Sequence, residues 1–226
     1  MAYDLDEVVP WGRSFTEYQA MFDLNDTDLQ VPILGCGDGP AGFNAEATKA
    51  GHRVVSIDPL YASDVKSIER RIDQVFDTVM NQTRANSDEF VWGTPIRNPD
   101  HLAATRTTAM QHFLEDFPKG SANGRYIAGA LPDLDLADGS FGLALCSHYL
   151  FLYSKQISPE EHIASLRELC RVAEEVRVFP LLELGSRPSR HLTSVLRKLT
   201  AAGHAVEVRL VSYEFQKRGN QMLAIR

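Results

Sequence analysis

The sequence predicts an α/β fold in which a seven-stranded, mostly parallel sheet has helices on both faces and an antiparallel last strand. Residues 31–57 follow the order strand, glycine turn, helix, strand, which is typical of a right-handed unit with parallel strands. Strand and helix patterns alternate again from residue 125 onwards, and two apolar runs joined by a glycine-containing turn at 216–220 predict a terminal hairpin. The 226 residues suit a single domain, 1–226, with an elaboration.

A glycine-rich turn separates the first predicted strand from the first predicted helix of this unit. The apolar run 31–34 predicts the strand, and Leu34-Gly35-Cys36-Gly37-Asp38-Gly39 follows as the turn. Pro40 is tolerated in the first turn of a helix because its φ is fixed and it lacks an N–H. We therefore expect the helix to begin at Pro40 and to end at Gly51, with a second strand over 53–57.

Two helical additions to the sheet are predicted, an N-terminal cap over 1–30 and an insertion over 64–124. In the cap, Phe15, Tyr18 and Phe22 recur three and four residues apart, which places them on one face of a short helix that covers the core or faces substrate. About 60 residues separate the second and third strands, more than a crossover needs. Apolar residues recur at helical spacing in this stretch, so we expect an extra helical element that could serve as a lid.

The rest of the chain alternates strands and helices. Ser158-Pro159-Glu160-Glu161 is a capping box, and the helix that it begins is expected to leave His162 facing water. The remaining strands are predicted over 125–128, 141–146, 176–182, 206–215 and 221–225.

Composition and charge argue against several classes of protein. The net charge of −7 and the pI near 5.5 lower the expectation of nucleic-acid binding, which usually needs a basic face. The three cysteines form no C-x-x-C pair and have no histidine at zinc spacing, so we expect reduced thiols and no metal site. The N-terminus lacks the apolar region of a signal peptide, and no run approaches about 18 apolar residues. We therefore expect a soluble, cytoplasmic protein with no membrane partner.

The glycine turn and Asp58 together predict a site for a nucleotide cofactor. Residues 37–42 fit G-x-G-x-x-G, and a phosphate or carboxylate can approach the backbone closely where side chains are absent. Asp58 lies 21 residues beyond Gly37, at the end of the next strand, where a carboxylate can accept hydrogen bonds from both ribose hydroxyls. This pair does not distinguish NAD from S-adenosylmethionine, because both contain an adenosine ribose.

The stretch from Ala130 to His148 resembles the segment that follows the third strand in class I S-adenosylmethionine-dependent methyltransferases. The shared features are Leu131-Pro132, a polar turn that closes with Gly139-Ser140-Phe141, an apolar fourth strand, and the pair Ser147-His148. The resemblance extends from about residue 31 to the C-terminus. It implies a Rossmann-like sheet with an antiparallel last strand, S-adenosylmethionine as cofactor, S-adenosylhomocysteine as product and a small-molecule acceptor.

The same resemblance implies where the cofactor lies. Asp58 would hold the ribose, and Ser147 would lie beside the methionine portion and the transferable methyl group. The other implied cofactor-binding residues are Gly35, Cys36, Gly37 and Gly39 beside the methionine half, with Pro59, Leu60, Ala130 and Leu131 around the adenine.

His148 is the candidate catalytic base of the predicted site. It follows the fourth strand, at the edge where ligands of open α/β sheets bind, although methyl transfer needs a base only if the acceptor must lose a proton. A structural histidine bonded to a backbone carbonyl is the alternative. Tyr149, Tyr153 and Tyr18 are candidate substrate-binding residues, with packing as the alternative for each.

Two further hypotheses for function remain open at the level of the sequence. Ile33 and Ala130 stand where methyltransferases of this class often carry acidic residues, which favours a non-catalytic protein that binds S-adenosylmethionine or acts as a scaffold. An NAD-dependent oxidoreductase would explain G-x-G-x-x-G but not residues 131–141. Neither the acceptor nor the oligomeric state follows from the sequence.

Overall fold

A computed structural model describes residues 8–226 of the chain, and its main feature is a seven-stranded sheet. The strands, in chain order, are β1 (Ile33–Cys36), β2 (Val54–Ile57), β3 (Tyr126–Ile127), β4 (Phe141–Ser147), β5 (Ala173–Phe179), β6 (Leu182–Glu183), β7 (Arg187–Pro188), β8 (Val206–Leu210) and β9 (Gln221–Ile225). The sheet has the order β3-β2-β1-β4-β5-β9-β8, and β6 pairs only with β7. β1 to β5 are parallel, and β9 is antiparallel to both of its neighbours.

Six helices accompany the sheet within the described residues. They are α1 (Phe15–Phe22), α2 (Phe43–Lys49), α3 (Val65–Ala85), α4 (Pro99–Ala122), α5 (Pro159–Val172) and α6 (Leu192–Ala201). Several begin at the polar caps that their sequences favour. Ser14 and Ser158 each form a capping box, at α1 and α5, and Asn98 caps α4 directly before Pro99.

Alternate residues of the central strands face opposite sides of the sheet, as strand geometry requires. In β1, Ile33 packs with apolar residues of α1 and α2, whereas Leu34 packs with those of α5 and α6. In β4, Leu143 belongs to the first of these clusters and Ala144 to the second. Helices therefore cover both faces, and the predicted fold class is confirmed.

The segment 64–124 contains the two longest helices of the described chain. α4 packs against α2, α3 and β3, so it is the helix that returns the chain to the sheet after β2. α3 is the additional element, held to α4 through an apolar cluster that includes Ile72, Met110 and Phe113. A lid function for this segment stays a prediction. The predicted N-terminal cap contains the helix α1, and residues 1–7 of that cap lie outside the described part of the chain.

Several element boundaries differ from the sequence-based expectation. β1 runs to Cys36 rather than ending at residue 34, because Gly35 and Cys36 pair with both β2 and β4. α2 begins at Phe43 rather than at Pro40, because Gly37 and Gly39 have φ angles of 70° and 52° and keep the preceding backbone in a turn. Pairing on two sides thus outweighs the weak strand propensity of glycine.

The expectation for His162 is wrong. Its side chain is buried rather than facing water, with its ring against Phe151 and His191 and its Nδ1 within 2.8 Å of the Ser158 carbonyl oxygen. The helix turns this position toward the core, because Ile163 and Leu166 on the neighbouring positions of α5 are also buried.

A buried ion pair joins α1 to α4. The Arg106 guanidinium donates from Nη1 to Glu17 Oε2 at 2.6 Å and from Nη2 to Oε1 at 2.7 Å, and the Tyr213 hydroxyl donates to Oε1 at 2.9 Å. Burial by itself would raise the pKa of Glu17, but the charge and hydrogen bonds of Arg106 outweigh it and lower that pKa to about 2. The predicted strand over 206–215 ends at Leu210, and the chain then leaves the sheet and brings Tyr213 to this pair.

Replacement of one partner of this pair should destabilise the protein strongly. Glu17→Gln leaves the Arg106 charge buried without its counterion, so we expect the free energy of unfolding in urea to fall by about 3–5 kcal/mol. The matched control is Arg84→Gln, which removes the exposed pair between Arg84 and Asp100 and should cost less than about 1 kcal/mol. Equal losses in the two variants would contradict a structural role for the buried pair.

Candidate cofactor site

A cavity of about 380 Å³ lies at the carboxyl ends of β1, β2 and β4, the edge at which open α/β sheets bind ligands. Nearly all of the positions predicted from the sequence line it. They are Tyr18, Cys36, Gly37, Gly39, Asp58, Pro59, Leu60, Ala130, Leu131, Ser147, His148, Tyr149 and Tyr153. Gly35 is the exception, because it lies within β1 and behind the turn.

Asp58 is held at the end of β2 by the backbone of the glycine turn and of the following residues. Its Oδ2 accepts a hydrogen bond from the Gly39 N–H at 2.9 Å, and its Oδ1 accepts one from the Leu60 N–H at 2.8 Å. The Tyr61 hydroxyl donates to the Gly39 carbonyl at 2.7 Å and fixes the same turn. Each carboxylate oxygen has a second lone pair, so the oriented Asp58 can still accept hydrogen bonds from two ligand hydroxyls.

Asp38 is a buried carboxyl group in the cavity wall to which the sequence analysis assigned no role. It accepts hydrogen bonds from the Tyr18 hydroxyl at 2.8 Å and from the Ser56 hydroxyl at 2.6 Å. Burial raises its pKa to about 7, although both hydrogen bonds oppose that rise. A Cβ at Gly35 would lie 1.9 Å from Asp38 Oδ2. The glycine at position 35 therefore makes room for Asp38.

His148 lies directly after β4 in a left-handed backbone conformation, with φ of 52°. Its N–H donates to the Phe179 carbonyl at 2.6 Å, its ring packs on Phe179, and its Nδ1 lies 3.0 Å from the Ser147 hydroxyl. Burial, followed by the positive charges of Arg13 and Arg106, lowers the pKa of His148 well below its usual value. The imidazole is therefore neutral at pH 7 and has a nitrogen able to accept a proton.

The three predicted substrate-binding tyrosines occupy different positions in the cavity wall. Tyr149 covers Gly37, where an added Cβ would lie 3.1 Å from the Tyr149 Cβ. The Tyr153 ring is buried, and its hydroxyl accepts a hydrogen bond from the Val9 N–H at 3.3 Å. Tyr18 uses its hydroxyl for Asp38 and stacks on Phe43 with ring centroids 4.1 Å apart. Tyr18 thus positions the glycine turn, while Tyr149 is the most open of the three.

Much of the remaining cavity wall is apolar and was not predicted from the sequence. These residues come from several separate segments, so no local pattern marks them. They include Val9, Trp11, Phe90, Leu102, Leu152, Leu184 and Phe215.

Residues 8–226 contain neither a metal-binding cluster nor a membrane-spanning helix. In that part of the chain, no group of three or more His, Cys, Asp or Glu side chains could hold a metal ion. Across the same residues, no helix combines the length and the apolar character needed to cross a membrane.

Comparison with known proteins identifies a sequence relative that matches nearly the whole chain and several solved structures to which the chain is similar. No family model matches the chain. Among solved structures, magnesium protoporphyrin IX methyltransferase from Synechocystis PCC 6803 with bound S-adenosylmethionine is 14% identical, covering 93% of this chain and 79% of that one, with a TM-score of 0.47. A methyltransferase from Aquifex aeolicus is 13% identical, covering 92% and 90%, with a TM-score of 0.43.

The relative by sequence is the uncharacterized protein MJ0045 of Methanocaldococcus jannaschii. It is 31% identical over 224 residues, which cover 99% of this chain and 98% of that protein. The observed sheet is the Rossmann-like sheet with an antiparallel last strand that the sequence predicts. The chain therefore belongs to the same protein family as MJ0045.

Proposed function

We propose that this protein transfers a methyl group from S-adenosylmethionine to a small-molecule acceptor and releases S-adenosylhomocysteine. The observation that carries the proposal is a single cavity that is lined by the glycine turn, by Asp58 and by His148. A cofactor with its ribose at Asp58 would extend past Gly37 toward Ser147 and His148. Pro59, Leu60, Ala130 and Leu131 line the same cavity and would surround the adenine.

The carboxyl groups beside the glycine turn favour a cationic group over a pyrophosphate at that place in the cavity. The carboxyl groups of Asp38 and Asp58 both line the cavity at the glycine turn. A pyrophosphate would bring two further negative charges beside them, which is unfavourable where the dielectric constant is low. A sulfonium and an ammonium group are cations and suit this environment.

The proposed reaction is an in-line displacement at the methyl carbon. A lone pair of the acceptor forms the new bond to carbon, and the bond between carbon and sulfur breaks with its electron pair left on sulfur. The protein's contribution is to align the three atoms and to exclude water, and the apolar wall around Trp11, Leu102 and Phe215 suits that task. In this proposal His148, which is neutral at pH 7, would accept a proton from a hydroxyl or amine acceptor.

Binding of S-adenosylhomocysteine should depend on Asp58. We expect the protein to bind this product in calorimetric titration, and Asp58→Asn to bind it about 10- to 100-fold more weakly, because a charged hydrogen bond to the ribose contributes about 1.5–3 kcal/mol. Asp77→Asn, an exposed change on α3, is the matched control and should bind as the wild type does.

Three outcomes would contradict the proposal. Absence of heat with both S-adenosylmethionine and S-adenosylhomocysteine would reject the cofactor. A rise in NADH fluorescence on mixing, with no response to the sulfonium compounds, would favour an oxidoreductase. Binding without turnover of any acceptor would instead leave a non-catalytic cofactor-binding protein.

The affinity for S-adenosylhomocysteine should rise with pH through the pKa of Asp38. Because that pKa is raised to about 7, about a tenth of the carboxyl groups are ionised at pH 6 and most are ionised at pH 8. If the ammonium group of the ligand requires the carboxylate, the wild type should bind about tenfold more tightly at pH 8 than at pH 6. Asp38→Asn should lose this difference between the two pH values, and a wild-type affinity that is the same at both would reject the assignment.

A further inference from the structure

Arg13 lines the cavity with a guanidinium group whose hydrogen bonds are mostly unused. It lies directly before Ser14, the N-cap of α1. Its Nη1 donates to the Trp11 carbonyl at 3.1 Å. Its Nε is shielded from solvent and has no hydrogen-bond partner among residues 8–226. A guanidinium has five N–H donors in a fixed fork, so most of the donors of Arg13 are available to a ligand.

The nearby carboxylate of Glu17 does not satisfy Arg13. Its Oε1 accepts from Arg106 Nη2 and from the Tyr213 hydroxyl, and its Oε2 accepts from Arg106 Nη1 and from the Ser14 N–H at 3.0 Å. Two guanidinium groups therefore share one carboxylate, and that carboxylate is already bound in a bidentate pair with Arg106. An arginine side chain stays charged in proteins. The cluster thus leaves one positive charge at the cavity without a partner of its own.

Arg13 acts on the part of the cavity that holds His148. Its charge is one of the causes that lower the pKa of His148, after burial, but it is not a cause of the pKa shift of Asp58. Asp58 follows β2 and His148 follows β4, and β1 lies between these two strands in the sheet. In a ligand whose ribose lies at Asp58 and whose reactive group lies near His148, the portion on the far side of the reactive group would therefore lie near Arg13.

We propose that Arg13 binds a carboxylate of the ligand through its guanidinium fork. This inference rests on the proposed function. A carboxylate matches the planar fork in two parallel hydrogen bonds, and it would give the partly buried charge the counterion that the protein does not supply. Two sources carry this chemistry. One is the α-carboxylate of the methionine half of the cofactor, and the other is a carboxylate on an acceptor whose remaining surface is apolar, as the wall around Trp11 and Phe215 requires.

The first arm of the test compares ligands that differ in the carboxylate. Wild type, Arg13→Gln and Arg13→Lys are titrated calorimetrically with S-adenosylhomocysteine and with 5′-methylthioadenosine, which lacks the amino-acid group. If Arg13 binds the cofactor, Arg13→Gln should weaken the binding of S-adenosylhomocysteine by at least about tenfold. The same variant should weaken the binding of 5′-methylthioadenosine by less than about twofold. Arg13→Lys keeps the charge without the fork and should give an intermediate loss.

The second arm tests an acceptor carboxylate. If Arg13→Gln binds S-adenosylhomocysteine as the wild type does, each protein saturated with that ligand is titrated with benzoate and with the neutral probe benzamide. Benzoate should then bind the wild type and should bind Arg13→Gln at least about tenfold more weakly, while benzamide should have the same affinity for both proteins. Arg84→Gln controls for loss of a surface charge, and the melting temperature of Arg13→Gln, expected to be no lower than that of the wild type, controls for folding.

The outcomes separate this inference from the proposed function. Adenosine ligands that bind wild type and Arg13→Gln equally, together with benzoate binding that is absent or unchanged, would overturn the role of Arg13 and leave the proposed function standing. Absence of binding of both adenosine ligands to the wild type would reject the proposed function. In that case the role of Arg13 is tested by titrating benzoate into the wild type and into Arg13→Gln without any adenosine ligand. Benzoate binding that is absent, or equal in the two proteins, would overturn the role of Arg13 as a carboxylate-binding residue.

Discussion

The ion pair between Arg106 and Glu17 holds together the three parts of the chain that surround the cavity. Arg106 comes from α4, Glu17 from α1 and Tyr213 from the segment after β8, and all three side chains are buried. Burial of charges is costly and is offset only where the geometry and the additional hydrogen bonds are good. The pair therefore requires α1, α4 and the segment around Tyr213 to keep one arrangement, and that arrangement brings Tyr18 to Asp38 and Phe215 to the cavity wall.

The electrostatics of the cavity follow from that arrangement. Glu17 is already paired with Arg106, so the positive charge of Arg13 is left in the cavity without a counterion of its own. Asp38 and Asp58 place carboxyl groups at the glycine turn. A ligand with a cationic group near the glycine turn and a carboxylate near Arg13 would complement both the negative and the positive charges of the cavity. Burial, followed by the positive charges of Arg13 and Arg106, keeps His148 neutral and makes it a weaker base than a free imidazole.

The parts of the fold and site that could be predicted from the sequence are those with a local cause. Apolar runs, the glycine turn and Asp58 at a strand end lie within about 30 residues of one another, so the order of elements and the place of Asp58 beside the glycine turn follow from spacing. Asp38 and Arg13 escaped prediction, because their roles depend on Tyr18, Ser56 and a pair formed between residues 89 positions apart in the chain. Gly35 was expected in the glycine turn, whereas its pairing on both sides places it in β1.

The measurement that tests the account most directly is an experimental structure of the protein soaked with S-adenosylhomocysteine. The account predicts the ribose hydroxyls within hydrogen-bond distance of Asp58, the adenine between Leu60 and Leu131, and the sulfur on the side of the cavity that faces His148. Occupation of a different site, or an adenosine placed beside His148 with Asp58 unengaged, would contradict it.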